Sequence, residues 1–306
     1  MRPVRALGIY IAVVFLGGAL LAPWLYWLAQ AGAHEFPSLV NAPLFSKIVH
    51  SPFHRFVNRS LLGLALIGLW PLLKSLGTTS FHDIGLVNPS GQGKWLGAGF
   101  LVGFVSLGLV AAAAVAGGAR HLSQDFTRLQ LGERLLSAAL TAVVVAVLEE
   151  VLFRGALFGS LRKVFHWIFA LVVSSLIYAG AHFFGSAPTT APVTWYAGLA
   201  LLPRMCGGLA DWQAVIPGFF NLTLAGALLA LAYQRTGNLY CSIGLHCGWI
   251  FWLKLYGFVS FEVPGASTWW WGTGKMVNGW VALLVLAATF LIFEKLSAPR
   301  RPEWRL

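Results

Sequence analysis

Two carboxylates and a guanidinium interrupt an apolar run in Ala146-Val147-Leu148-Glu149-Glu150-Val151-Leu152-Phe153-Arg154-Gly155. A charge inside a membrane helix costs about 2.5–3.5 kcal/mol on insertion scales, so it normally faces a cavity or a partner. On a helix of about 3.6 residues per turn, Glu150 and Arg154 share a face and can pair. Glu149 points about 100° away from Glu150. The spacing separates two jobs: Glu150 and Arg154 form a structural ion pair, and Glu149 faces the bundle interior. The competing reading is that all three charges form one cluster that locks helices together.

Two histidines lie in later apolar stretches. His182 sits in Tyr178-Ala179-Gly180-Ala181-His182, and His246 in Gly244-Leu245-His246-Cys247-Gly248. A lone histidine in an apolar helix is more often a hydrogen-bonded packing residue than a catalyst. Two of them beside an intramembrane glutamate are the parts of a hydrolytic site. A carboxylate can take a proton from water, and imidazoles can orient that water or stabilise an oxyanion. The small residues around both histidines let helix backbones approach closely.

Glu149-Glu150-x-x-x-Arg154, then Tyr178-x-x-x-His182, then His246 in a later helix, resembles the CPBP intramembrane endopeptidases. These include the CAAX prenyl proteases and the bacterial abortive-infection-like proteins. The resemblance covers about 135–260. It implies that Glu149 activates water, that Glu150 and Arg154 support it, that His182 positions water or the substrate carbonyl, and that His246 contributes to the oxyanion site. It also implies a membrane-associated protein or peptide substrate, no cofactor, and residence in a bacterial cytoplasmic membrane. Two positions depart from the family pattern. Tyr178 stands where phenylalanine is usual, and Ile250 stands where asparagine or aspartate is usual. Isoleucine cannot donate a hydrogen bond. Asn221, expected inside the sixth span, is a speculative substitute donor; a helix–helix hydrogen bond is its plainer role. Glu149, His182 and His246 are also a conceivable divalent-metal set, but no HExxH spacing occurs.

The elements that must position these residues are membrane helices. The chain has 306 residues, of which 58% are hydrophobic and only 10% charged. Soluble domains average about 25% charged residues. The composition excludes a soluble globular protein, a disordered chain and a nucleic-acid binder. The net charge of +11 fits basic loops beside anionic lipid. Eight spans are expected, at about 7–29, 56–76, 95–118, 135–161, 164–184, 214–234, 239–259 and 276–294, with an interfacial or re-entrant helix within 185–213. Pro71 interrupts the second. Ala29-Gln30-Ala31 mimics a signal-peptide cleavage site, but the apolar stretch before it is too long for one. Trp269, Trp270 and Trp271 suit an aromatic belt.

The expected fold is therefore an all-α polytopic transmembrane bundle forming a single domain over 1–306. Eight spans put both termini on one side, and a small excess of Lys and Arg there favours the cytoplasm. Cys206, Cys241 and Cys247 give neither a disulfide framework nor a zinc ribbon. Lys254 follows His246 by eight positions on nearly the same helix face. It is read as snorkelling to the interface, with attraction of a substrate carboxylate as the alternative. Two further functions compete with the enzyme: a non-catalytic immunity or scaffold protein, favoured by Ile250, and a small-molecule transporter relaying through Glu149 and Arg154. No internal repeat supports the transporter.

Overall fold

The computed structural model describes residues 2–78, 80–185, 189, 191–207 and 211–297. The basic tail at 299–306 lies outside the described residues. In chain order the principal helices are α1 (Arg5–Glu35), α2 (Phe53–Ser75), α3 (Gly93–Ala116), α4 (Arg128–Leu161), α5 (Trp167–Ala181), α6 (Ala197–Met205), α7 (Trp212–Thr236), α8 (Tyr240–Val259) and α9 (Trp280–Leu296). A short antiparallel pair joins Arg120–Leu122 to Ser260–Glu262, with His121 opposite Phe261.

The all-α polytopic bundle expected from sequence is what forms. Among the described residues five helices, α1 to α4 and α7, are long and apolar enough to cross a membrane. The other three expected spans are helices too, but differ in kind. α5 has 15 residues and α9 has 17. α8 has 20 residues and carries His246 and Lys254. The interfacial segment is the nine-residue α6. Pro71 does not break α2, which runs on to Ser75. Exposed Leu28, Ile67, Leu101, Leu136, Leu140 and Leu284 give the helices the lipid-facing surface that a membrane requires.

The described residues fall into two compact units, one within 1–77 and 183–210, the other within 78–182 and 211–306. In the first, α1 and α2 pack around Ala22, Phe53, Phe56, Val57, Leu201 and Met205. Gly18 lies against the Leu61 backbone, and Gly198 against that of Ala19.

The second unit is built around α8. Every residue of α8 from Cys241 to Ile250 is buried. Its core joins Leu107 and Val110 of α3, Leu228 and Leu229 of α7, Leu245, Trp249 and Tyr256 of α8, and Leu286 of α9. α3 and α8 cross through glycine: Gly99 and Gly103 of α3 meet the backbone at Cys241 and Leu245, while Gly244 and Gly248 of α8 meet Leu96, Phe100 and Phe104. Any Cβ at these positions would collide with backbone, so the contact requires glycine. The indole N–H groups of Trp249 and Trp252 then donate to Ser106 Oγ and Phe104 O at 2.9 and 2.8 Å. α4 begins at a capping box in which Thr127 and Gln130 satisfy each other's backbone N–H groups. Beyond Glu150 it changes from α- to π-helix over Val151–Phe158.

Candidate active site

The π-helical turn begins directly after the two glutamates. Such turns are frequent at functional sites. Here Glu150 and Arg154 point into protein and are 0% and 2% exposed, whereas the Glu149 side chain is 27% exposed and lines a cavity.

Arg154 Nη1 donates to Glu150 Oε1 at 2.8 Å, and Nη2 reaches Gly226 O at 3.4 Å. The guanidinium lies 4.4 Å from the Tyr178 ring centroid. Tyr178 also meets Phe153 edge-on at 5.0 Å. Ion pair, backbone carbonyl and aromatic face together compensate the desolvation of Arg154. Removing one partner of such a buried pair typically costs about 3–5 kcal/mol.

Both imidazoles are held through Nδ1. His182 follows the last residue of α5, where helix carbonyls lack intrahelical donors. Its Nδ1 donates to Tyr178 O at 2.8 Å. His246 Nδ1 lies 2.9 Å from Glu150 Oε1, and an ionised carboxylate can only accept, so Nδ1 is the donor. These bonds leave Nε2 of each ring turned toward Glu149. Glu149 Oε2 is 3.7 Å from His182 Nε2 and 3.7 Å from His246 Nε2. That is beyond a direct hydrogen bond and within the reach of one bridging oxygen. Oε2 itself is buried and has no direct hydrogen-bond partner among the described residues.

The expected span boundaries place His182 and His246 at different depths. The length of α5 answers this. Fifteen residues rise about 22 Å, short of the roughly 30 Å hydrocarbon core. The helix stops early and presents His182 at the level of Glu149.

The cavity has a volume of about 360 Å³. Glu149, Tyr178, His182, His246, Lys254 and Lys275 are its polar lining residues, and Val145, Leu222, Leu253 and Leu286 are among its apolar ones. Ile250 lines it as well, so the position that departs from the family pattern faces the site. Asn221 does not line it. Its Nδ2 donates to Gly279 O at 2.9 Å, a link between α7 and the start of α9. Two lining groups escape sequence reading. One is the Tyr178 hydroxyl, 3.4 Å from His246 Nε2. The other is Lys275, in the loop before α9. Tyr178 opens the Tyr178-x-x-x-His182 motif, but only tertiary packing brings its hydroxyl to His246, and no motif spacing signals Lys275.

Among the described residues, no group of three or more His, Cys, Asp or Glu is arranged to hold a metal ion. The chain matches no curated protein and no solved structure. Residues 131–252, which contain Glu149, His182 and His246, match the family model described as type II CAAX prenyl endopeptidase Rce1-like.

Proposed function

We propose that the protein is an intramembrane glutamic endopeptidase that hydrolyses a peptide bond of a membrane-associated protein or peptide. The supporting observation is the equal 3.7 Å spacing of Glu149 Oε2 from both Nε2 atoms. A water between them has a carboxylate to take its proton and imidazoles to fix its direction. Glu149 removes the proton as the water oxygen attacks the carbonyl carbon. The oxyanion is stabilised by N–H and O–H donors at the same end of the cavity. His246, held by Glu150 at Nδ1, is one. His182 and the Tyr178 hydroxyl are the others. The C–N bond then breaks, and Glu149 passes its proton to the leaving amine.

The test uses the full chain in lipid nanodiscs and an internally quenched peptide with a prenylated cysteine four residues from its C-terminus. Glu149→Gln is expected to lower kcat by at least about 1,000-fold, the order seen when a reaction loses its general base together with its water-orienting group. Wild-type turnover in that variant would refute the assignment. Cleavage is expected to survive a strong chelator. Loss restored by zinc would transfer the role to a metal held by Glu149, His182 and His246. Ile250 favours a second reading, a non-catalytic immunity or scaffold protein, which predicts no cleavage by any variant.

A further inference from the structure

Within the second unit, the end of α7, the start of α3 and the end of α9 meet at a second cavity, of about 760 Å³. Asn238, just past α7, donates from Nδ2 to Gln92 Oε1 at 3.2 Å, beside the start of α3. Arg235, in the last turn of α7, has Nη2 3.9 Å from Glu294 Oε1, near the end of α9. The cavity is a trough with Trp95, Leu101, Val105 and Leu109 of α3 on one wall and Ile292 and Phe293 of α9 on the other. From Trp95 to Leu109 the helix rises about 21 Å, more than half of the roughly 30 Å hydrocarbon core. Leu101, Val105, Leu109 and Ile292 are exposed, so the trough is open along its side. Its lining residues and those of the Glu149 cavity are different sets. Two polar atoms set one end apart. Arg235 and Ser297 both line the trough, and Arg235 Nε and Ser297 Oγ are buried with no hydrogen-bond partner among the described residues. A cation suits the C-terminus of α7, and the pairing with Glu294 adds to that. At 3.9 Å, however, the pair is not a hydrogen bond, and it leaves Nε without an acceptor. An unsatisfied buried donor is costly, and more so on a charged group.

We propose that this trough binds an anionic phospholipid, with an acyl chain between α3 and α9 and the phosphate held by Arg235 Nε and the Ser297 hydroxyl. The site is independent of the endopeptidase reading. Phosphate oxygens accept hydrogen bonds, so one phosphate satisfies both orphan donors. The edge of a guanidinium that carries Nε and Nη2 matches phosphate geometry in a two-bond contact. Glu294 does not block this, because its side chain is 49% exposed and can turn to water. The same end carries Lys94 in the first turn of α3 and Lys295 in the last turn of α9. Together with Arg235 they outweigh Glu294 and draw an anionic headgroup, whereas a zwitterionic lipid brings a choline cation to a cationic end. Lys94 Nζ lies 5.8 Å from the centroid of Trp95, an indole at the level where such rings meet headgroups.

The experiment uses the full chain in phosphatidylcholine nanodiscs containing a small fraction of a probe lipid with a photoreactive diazirine on its acyl chain. The probe is either phosphatidylglycerol or phosphatidylcholine. Irradiation is expected to label α3 within 101–109 and α9 within 289–296. The phosphatidylglycerol probe should label these segments at least about tenfold more, the effect of one hydrogen bond to a charged group. Arg235→Gln with Ser297→Ala should bring its labelling down to the phosphatidylcholine level. Glu294→Gln should leave labelling intact or raise it. Equal labelling by the two probes overturns the proposal, since the trough then holds ordinary solvent lipid. A loss in Glu294→Gln as large as in the Arg235 variant also overturns it, and assigns the arginine to the α7–α9 ion pair. An equal loss in Lys295→Gln overturns it in favour of diffuse surface charge. Displacement of the probe by a prenylated peptide overturns it too, and gives the trough to the substrate. Should the double variant fail to fold, Val105→Trp fills the trough from its open side. Labelling of both segments is then expected to vanish while the thermal midpoint holds, and labelling that persists overturns the proposal.

Discussion

Tyr178 is buried to 3% exposure, and its hydroxyl is its only side-chain polar atom. The ring packs on Phe153 and under Arg154 as phenylalanine would, so the hydroxyl is not needed for packing. What it adds is an O–H donor 3.4 Å from His246 Nε2, in the cavity that Ile250 also lines. The two departures from the family pattern thus meet at one place: a donor is missing at Ile250 and one is present at Tyr178. Tyr178→Phe is expected to lower kcat by about 100-fold, the usual loss for one oxyanion donor. KM and the thermal midpoint should stay near wild type. An unchanged kcat would show that the hydroxyl takes no part. At this scale the charged residues were legible in sequence, because a charge in an apolar run must have a reason. The role of Tyr178 was not, because a hydroxyl gains meaning only from what packs against it.

His246 is placed by helix contact as much as by hydrogen bonds. It lies two residues after Gly244, whose missing Cβ lets α8 rest on the backbone of α3 at Leu96 and Phe100. Gly244→Ala must push α8 away from α3. Overpacking of this kind costs about 1–3 kcal/mol. The larger expected effect is on activity, since the approach of Nε2 to Glu149 depends on the position of α8. Peptide cleavage by Gly244→Ala should fall at least tenfold, about 1.4 kcal/mol, at temperatures where the protein remains folded by circular dichroism. Gly180→Ala is the control. A Cβ there meets nothing within 4 Å, and activity should hold. Sequence singled out small residues around both histidines. Gly244 and Gly248 around His246 serve a close crossing, whereas Gly180 near His182 faces open space, and the partners Gly99 and Gly103 emerge from the structure. The π-helical turn after Glu150 was illegible, since its residues fit an ordinary α-helix equally well and only the packed bundle selects the wider turn.

Helix direction within the second unit limits how many times the chain crosses the bilayer. α3 and α8 run parallel, because Gly99 meets Cys241 while Ser106 meets Trp249. α4 runs against α8, because Arg134 lies over Phe258 while Glu150 meets His246. Two spanning helices can be parallel only if an odd number of crossings separates them. α4 and α7 supply two, and α6, at about 13 Å, is too short for a third. The third crossing must therefore be α5, despite its length. α9 runs parallel to α7, since Phe220 meets Trp280 and Arg235 reaches Glu294 at 3.9 Å. The start of α3 and the end of α9 accordingly share a face, and the loop between α3 and α4 lies on the other. Cysteine substitutions at Ser90, Lys295 and Gln124 test this in sealed vesicles with a membrane-impermeant maleimide, against the unaltered chain as background. Ser90→Cys and Lys295→Cys should label together from one side, and Gln124→Cys only from the other. Labelling of Ser90→Cys and Lys295→Cys from opposite sides would remove α5 from the count. Lys254, toward the end of α8, and Lys275, in the loop after it, belong to the face of Gln124. The same labelling thus reports on which side of the membrane both lysines lie.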